Sequence, residues 1–290
     1  MPLSTIFTSI NIERNLHLDK LKFEKLKDIL AGMGDVLVAY SGGTDSTLVL
    51  KVAYDLLGPK AAALTAVSPS MPASEQAQAV EIARSIGALH FIVQSDEFSD
   101  PEYIANTPNR CFFCKKETFG LMAAYAREHG FHYIADGTNV DDTGDFRPGR
   151  QAAKEYAIRS PLLEAGFTKA EIRQLSKDLG LPNWDKPAMA CLSSRIPYGM
   201  PITMQALSQV ERAEEMLHQL GLRQLRVRHH GNLARIEADP KDHQLILENC
   251  HRIVDSFKAI GYLYITLDLA GFRSGSMNEA IQDLRKDAVI

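Results

Sequence analysis

No run in this sequence approaches the ~18 consecutive apolar residues of a membrane-spanning helix, so no membrane partner is expected. The opening stretch MPLSTIFTSINIERNLHLDK has neither a basic start nor an unbroken apolar core, which argues against a secretory signal and for a cytoplasmic protein. Cysteine is scarce: four in 290 residues are too few for a disulfide framework, so reduced thiols are expected, open to ligation or catalysis. An excess of basic residues is missing too. Asp and Glu total 36 against 32 Lys and Arg, a net charge of -4, which disfavours a broad nucleic-acid-binding surface and favours a small-molecule partner. What is present is apolar material, 45% of the chain, enough for one large domain or two unequal ones to bury a core.

From Val36 onward, short β-branched runs alternate with amphipathic stretches. They read VLVAY, a helix from about Ser46, AAALTAV, a helix from about Ser74, HFIVQ, a helix after Cys114, then HYIADG. That alternation predicts an α/β fold with a doubly wound parallel sheet. Ligands bind such sheets beyond the carboxyl ends of the strands, so the segments after Tyr40, Val67, Gln94 and Ala135 should face one site. Thr168 to Glu171 has the form of a capping box for a helix running to Leu179, which Gly180 and Pro182 close. The first domain is expected over residues 1–186. A connecting loop over 187–202, rich in proline, glycine and serine, carries Cys191. A second, smaller α/β domain follows over 203–290. Its pattern is a helix (Thr203 to Leu220), strands at Leu225 to Arg228 and Leu233 to Glu237, a helix (Asp242 to Ile260) and a strand (Leu263 to Leu267).

The segment YSGGTDST, Tyr40 to Thr47, follows the first apolar strand and opens the first helix. Two glycines allow a tight turn and close approach to a polyanion, while the helix N-terminus offers its positive pole. Ser41, Ser46 and Thr47 add hydroxyls, and Asp45 adds a carboxylate suited to Mg²⁺ between phosphates. The lysine of a Walker loop is absent, as is the six-residue GxGxxG pattern.

RCFFCK places Cys111 and Cys114 three positions apart, a spacing compatible with a redox pair, half a zinc site or part of an iron-sulfur site. Cys250 shares a helical face with Ile246, Ile253 and Phe257 and reads as packing. Cys191 remains. A structural zinc needs a fourth ligand that no nearby histidine supplies, since His90 and His132 open strands. A dithiol redox pair leaves Cys191 unexplained. Three thiolates suit a [4Fe-4S] cluster with one open iron, whereas unligated buried thiols are the plain alternative. In LRVRHHGNLARIE, alternation puts Arg226, Arg228 and His230 on one strand face opposite Leu225 and Val227, a pair of guanidiniums able to clamp a phosphate or carboxylate. A solvated strand face would look the same. Arg195, near Cys191, is a further candidate for a substrate anion.

SGGTDS after a hydrophobic strand resembles the PP-loop of the N-type ATP pyrophosphatases, a HUP-like superfamily. Its members cleave ATP between the α and β phosphates and adenylate a carboxylate or carbonyl oxygen. The resemblance implies that Ser41, Gly42, Gly43, Asp45, Ser46 and Thr47 bind the pyrophosphate, with Ala66 beside the adenosine. Gly137, Thr138 and Asn139, at the end of the fourth strand, fit the same ATP pocket, although a plain Asp-Gly turn with solvated acids would look the same. A PP-loop with a CxxC and a distant cysteine is shared by sulfur-transfer enzymes. One candidate family is the iron-sulfur tRNA thiolases. The other, the ATP-dependent sulfur transferases of nickel-pincer nucleotide (lactate racemase cofactor) biosynthesis, is matched in order by YSGGTDSTLVL, NRCFFCKKETF, DGTNVDD, RPGRQAAKE, RSPLLEAG, ACLSSRIPYG, RVRHHGNLARIE and DLAGFRSGSMN.

This second resemblance implies adenylation of pyridinium-3,5-biscarboxylic acid mononucleotide, with ATP, Mg²⁺ and sulfide or another sulfur donor, in a homo-oligomer. One branch of that family keeps only the cysteine equivalent to Cys191 and sacrifices its sulfur, leaving dehydroalanine. The other keeps three cysteines and carries a cluster. Three cysteines here imply the cluster branch, with Cys111, Cys114 and Cys191 as ligands and Cys191 and Asp45 as catalytic residues. A non-enzymatic module that senses ATP or is stabilised by zinc would use the same loop and thiols.

Overall fold

In the computed structural model, which describes residues 20–143, 149–187 and 190–273, the run VLVA becomes strand β1 (Val36–Ala39), with its first three residues buried. Before it lies helix α1, described from 20 to 33, which turns Leu26, Leu30 and Met33 inward at helical spacing. There follow α2 (Thr44–Leu57), β2 (Ala61–Val67), α3 (Ala73–Ile86), β3 (Leu89–Gln94), α4 (Pro101–Ile104), α5 (Arg110–His129) and β4 (Ile134–Ala135). Next come α6 (Gly149–Glu155), α7 (Pro161–Ala165), α8 (Lys169–Asp178) and α9 (Met204–Gln219). The last elements are β5 (Leu225–His230), β6 (Leu233–Ala238), α10 (His243–Glu248), α11 (Cys250–Ile260) and β7 (Tyr264–Leu267). Residues 1–19, read above for a signal, lie outside the described residues, as do 188–189 of the expected connecting loop and 274–290 of the expected second domain.

The described residues divide into two units. One is drawn from Met1–Val67, Ala73–Ser95 and Lys115–Ala188, the other from Ser68–Pro72, Asp96–Cys114 and Met189–Ile290. The first unit holds a parallel sheet in the order β3-β2-β1-β4. The order reverses between β1 and β4, so the loops leaving these two strands border the crevice where open α/β sheets bind ligands. Leu37 and Val38 pair with Ile134 and Ala135 across that switch. Helices α1, α2 and α7 cover the sheet with Leu30, Leu48, Val52 and Leu162. At α8, the Thr168 side chain accepts from the Glu171 backbone while Glu171 accepts from the Thr168 backbone, which is the capping box read from the sequence.

The second unit holds a sheet in the order β5-β6-β7, antiparallel then parallel, packed on α9 and α11 through Leu217, Val227, Ile236 and Phe257. A second cluster in this unit, including Tyr103, Leu192, Ile196 and Leu207, packs the Cys191 segment. No helix among the described residues is long and apolar enough to cross a membrane.

Two local expectations change. The helix expected after Cys114 begins at Arg110, because the Arg110 and Phe112 amides already bond back to Thr107 and Asn109, so the CxxC pair lies in its first turn. The helix expected from Asp242 to Ile260 breaks at Asn249, whose side-chain amide donates to the Leu245 carbonyl (2.8 Å). The break leaves Cys250 as the first residue of α11. Ile246, Ile253 and Phe257 are buried, but Cys250 is exposed rather than packed.

Candidate active site

Between Ala39 and Thr44, the first unit turns from β1 into α2 in four residues. Gly42 has φ +69°, and a Cβ there would lie 2.8 Å from that of Ala79 on α3, so both conformation and space demand glycine. Gly43 caps α2 without a side-chain bond. The positive pole of the helix is thus left to an anion. The loop is braced internally: Ser46 Oγ donates to the Gly43 carbonyl (3.2 Å) and accepts from the Ser41 amide (3.3 Å). The exit of β4 lies against this turn, since a Cβ on Gly137 would meet the Ser46 nitrogen at 2.8 Å. Beside it, Asp136 accepts from the Thr138 amide (3.0 Å), the Thr138 hydroxyl (2.7 Å) and the Ser160 hydroxyl (2.8 Å). Asn139 is buried, and its Nδ2 makes no hydrogen bond. Ala66 lies near the end of β2, half-buried. The structure thus brings Ser41 to Thr47 together with Gly137 to Asn139.

Asp45 is paired with Lys169 of α8, while its other oxygen, Oδ1, is buried without a partner. Burial pushes this carboxyl above the usual range. The charge of Lys169 opposes the shift, and the charge of Asp142 adds to it. An orphaned buried carboxylate oxygen is the kind of donor a hard cation takes, so Asp45 fits Mg²⁺, with Lys169 as its resident counterion. Sequence reasoning missed Lys169 and also the segment behind the loop. Asn183 Nδ2 donates to the Gly42 carbonyl and to Thr47 Oγ1, both at 2.9 Å. Lys186, paired with Glu75 (2.7 Å), also lies 3.4 Å from the Gly42 carbonyl. These contacts span more than a hundred residues of chain, and LPNWDKP carries no motif that announces them.

All three candidate cysteines belong to the second unit. Cys111 is exposed, whereas Cys114 and Cys191 are half-buried. Arg110, only 4% exposed, donates to Asn106 Oδ1 and to the Ser193 carbonyl, both at 2.8 Å, and its Nη2 lies 3.8 Å from Cys111 Sγ. Burial works against the guanidinium charge, but the neighbouring Cys191 and Cys111 sulfurs and the Tyr198 phenol outweigh it and raise the pKa. Asn106 is fully buried with φ +52° and donates to the carbonyls of Ile196 (3.2 Å), Pro197 (2.9 Å) and Met200 (2.9 Å). Tyr103 donates to Glu97 (2.8 Å) and contacts Ser193 Oγ (2.6 Å). The Leu192 amide donates to the Ser70 carbonyl (2.8 Å). The loop behind Cys191 is therefore held by segments 68–72 and 96–114. Among the described residues, no group of three or more His, Cys, Asp or Glu is gathered to hold a metal. Three thiols suit a thiophilic cluster by donor chemistry, but their present positions do not preassemble its site.

Two of the three candidate arginines, Arg195 and Arg228, serve the same loop. Arg195, fully buried, grips Glu214 of α9 with Nε (2.9 Å) and Nη2 (2.8 Å), while Nη1 reaches the carbonyls of Ala190 and Cys191. Arg228 bonds Glu237 through Nε (2.9 Å) and Nη2 (2.7 Å) and donates to the Ser194 carbonyl (2.9 Å). Arg226 lies over the Phe272 ring and donates to its neighbour's carbonyl; burial, then Arg195 and Arg228, push its pKa down to about 10. Alternation leads to the expectation of one anion-facing side of β5. Instead both sides are buried as far as His229, because Glu214 and Glu237 supply the countercharges that let arginine enter a core; His230 is exposed.

No protein-family model matches the chain. The chain is similar to the uncharacterized protein slr1717 of Synechocystis sp., 49% identical over 90% of this chain and 98% of that protein. It is 39% identical to the pyridinium-3,5-bisthiocarboxylic acid mononucleotide synthase of Lactiplantibacillus plantarum over 85% of this chain and 90% of that enzyme. The tRNA-specific 2-thiouridylase MnmA of Treponema denticola is 29% identical, over 52% of this chain and 51% of its own length.

Proposed function

The chain belongs to the family of pyridinium-3,5-bisthiocarboxylic acid mononucleotide synthases, and on that premise we propose that it is an ATP-dependent sulfur transferase acting on a pyridinium biscarboxylate mononucleotide. The observation that carries this reading is the extent of the likeness. It covers 90% of the synthase but only about half of the thiouridylase.

ATP would lie with its polyphosphate on the turn of Ser41, Gly42 and Gly43 and the first turn of α2, where Ser46 and Thr47 add hydroxyls. Its nucleoside would rest between Ala66 and the Gly137–Asn139 segment. Mg²⁺ on Asp45 would neutralise the departing pyrophosphate. A substrate carboxylate oxygen attacks the α-phosphorus, the bond to pyrophosphate breaks, and an acyl adenylate results. Sulfide then attacks the acyl carbon and expels AMP, which leaves a thiocarboxylate; two rounds give the bisthiocarboxylate. A [4Fe-4S] cluster on Cys111, Cys114 and Cys191 would supply an open iron able to hold that sulfide. Arg110, Asn106 and Tyr103 hold the Cys191 loop in place, as do Arg195, within the loop and anchored to Glu214 of α9, and Arg228 of β5. Arg226, on the same strand, is the residue proposed to meet the phosphate of the mononucleotide.

The test is thiolation by anaerobically purified protein offered either the mononucleotide or bulk tRNA, with ATP, Mg²⁺ and sulfide. Thiocarboxylate from the mononucleotide and no thiolated base in tRNA is the expected result. Thiolated tRNA with an untouched mononucleotide would reverse the reading.

A further inference from the structure

We propose that Asn183 is the positioning residue that sets the pyrophosphate loop in its anion-binding form; this rests on the ATP-dependent reading above and deepens it. Asn183 is 2% exposed and makes three bonds to the loop and the first turn of α2. Its Nδ2 donates to the Gly42 carbonyl and to Thr47 Oγ1, and its own carbonyl accepts from Thr44 Oγ1 (2.8 Å). The amide has only one workable orientation. Turned over, it would set Oδ1 against the Gly42 carbonyl, acceptor against acceptor. In the orientation found, Oδ1 is buried with no hydrogen bond. A stabilising role alone would not favour that arrangement, since an unsatisfied buried acceptor is costly.

The gain lies in the loop. C=O and N–H of a trans peptide point in opposite directions, so holding the Gly42 oxygen toward Asn183 turns the Gly43 N–H the other way. An anion must meet amide hydrogens there, not a carbonyl oxygen. The Gly43 N–H is at present only loosely engaged, at 3.4 Å from Ser41 Oγ. Two further contacts close the rear of the turn: Lys186 Nζ on the same Gly42 carbonyl, and Ala79 packed where any side chain at position 42 would go. The arrangement resists peptide inversion, which would bring an oxygen lone pair toward phosphate.

Calorimetric titration of the full-length protein with inorganic pyrophosphate and with Mg·ATP tests this, alongside steady-state KM for ATP and for the mononucleotide. Asn183→Ala removes both donated bonds and should weaken pyrophosphate and ATP binding about tenfold. Asn183→Asp sets an acceptor against the Gly42 oxygen and should weaken binding about a hundredfold. The KM for the mononucleotide should not move. If Asn183→Asp fails to fold, Asn183→Ala and Asn183→Ser carry the test. Binding by Asn183→Ala within about twofold of the parent overturns the assignment, and so does a parallel loss of affinity for both substrates. A parent protein that does not bind pyrophosphate overturns it too. A parent that binds ATP but releases no pyrophosphate with the mononucleotide refutes the proposed reaction, and the loop assignment is then judged on the binding ratios alone.

Discussion

Arg195→Met keeps the aliphatic bulk at a fully buried position and removes the guanidinium that joins Glu214 to the carbonyls of Ala190 and Cys191. Glu214, itself buried, would retain the Val227 amide at 2.9 Å among these partners and lose its countercharge. Removing one partner of a buried ion pair costs about 3–5 kcal/mol. The chain has two units, so a single unfolding midpoint is a poor measure; hydrogen exchange read segment by segment is better. A loss of about 4 kcal/mol corresponds to a fall in protection of roughly a thousandfold, expected in β5 and in the turn after Cys191. The double change Arg195→Met with Glu214→Leu removes the stranded carboxylate and should recover part of the loss, the remainder reflecting the Val227 amide and the Ala190 and Cys191 carbonyls that lose these partners. Protection in Arg195→Met within about tenfold of the parent, with catalysis lost, would refute this reasoning and place Arg195 on the substrate.

Asp45→Asn should abolish pyrophosphate release. Because burial raises the Asp45 pKa, the folded state binds this proton more tightly than the unfolded one, and stability falls as pH rises from the ordinary carboxylate range through the raised value. Asp45→Asn should therefore melt at or above the parent temperature at pH 7 and lose any advantage below about pH 4, which a series of thermal melts would check. Single replacement of Cys111, Cys114 or Cys191 should remove iron and acid-labile sulfide from anaerobically purified protein, whereas Cys250→Ala, at an exposed site on α11, should leave both unchanged. Retention of full iron content by any of the first three variants would remove that cysteine from the ligand set.

The elements that could be read from sequence were those set by local chemistry. β1, β2 and β3 are apolar runs bounded by turns, the Thr168–Glu171 box is a four-residue device, and the Gly42 turn needs glycine for reasons visible in SGGTDS. What escaped was set by distance along the chain. The period-2 reading of β5 could not see Glu214 on α9 or Glu237 on β6, and without them a buried arginine strand looks like an exposed one. Asn183 meets Gly42 across 141 positions. Segments 68–72 and 96–114 leave β2 and β3 and join the second unit through contacts with the Cys191 loop, a partition that no local pattern encodes. Cys250, read as packed, is exposed at the first residue of α11, where a helix whose apolar spacing looked continuous is broken at Asn249.

The coupling of ATP cleavage to thiocarboxylate formation tests the central claim most directly. Full-length protein would be incubated anaerobically with ATP, Mg²⁺, sulfide and the biscarboxylate mononucleotide, and AMP, pyrophosphate and thiocarboxylate counted against the intact mass of the chain. The expected result is equal amounts of all three, several turnovers per chain, and an unchanged protein mass. ADP and orthophosphate in place of AMP and pyrophosphate would contradict ATP use at the Gly42 turn. Product limited to one sulfur per chain, with a mass loss of roughly 34 Da at Cys191 as cysteine becomes dehydroalanine, would contradict the cluster-held sulfide.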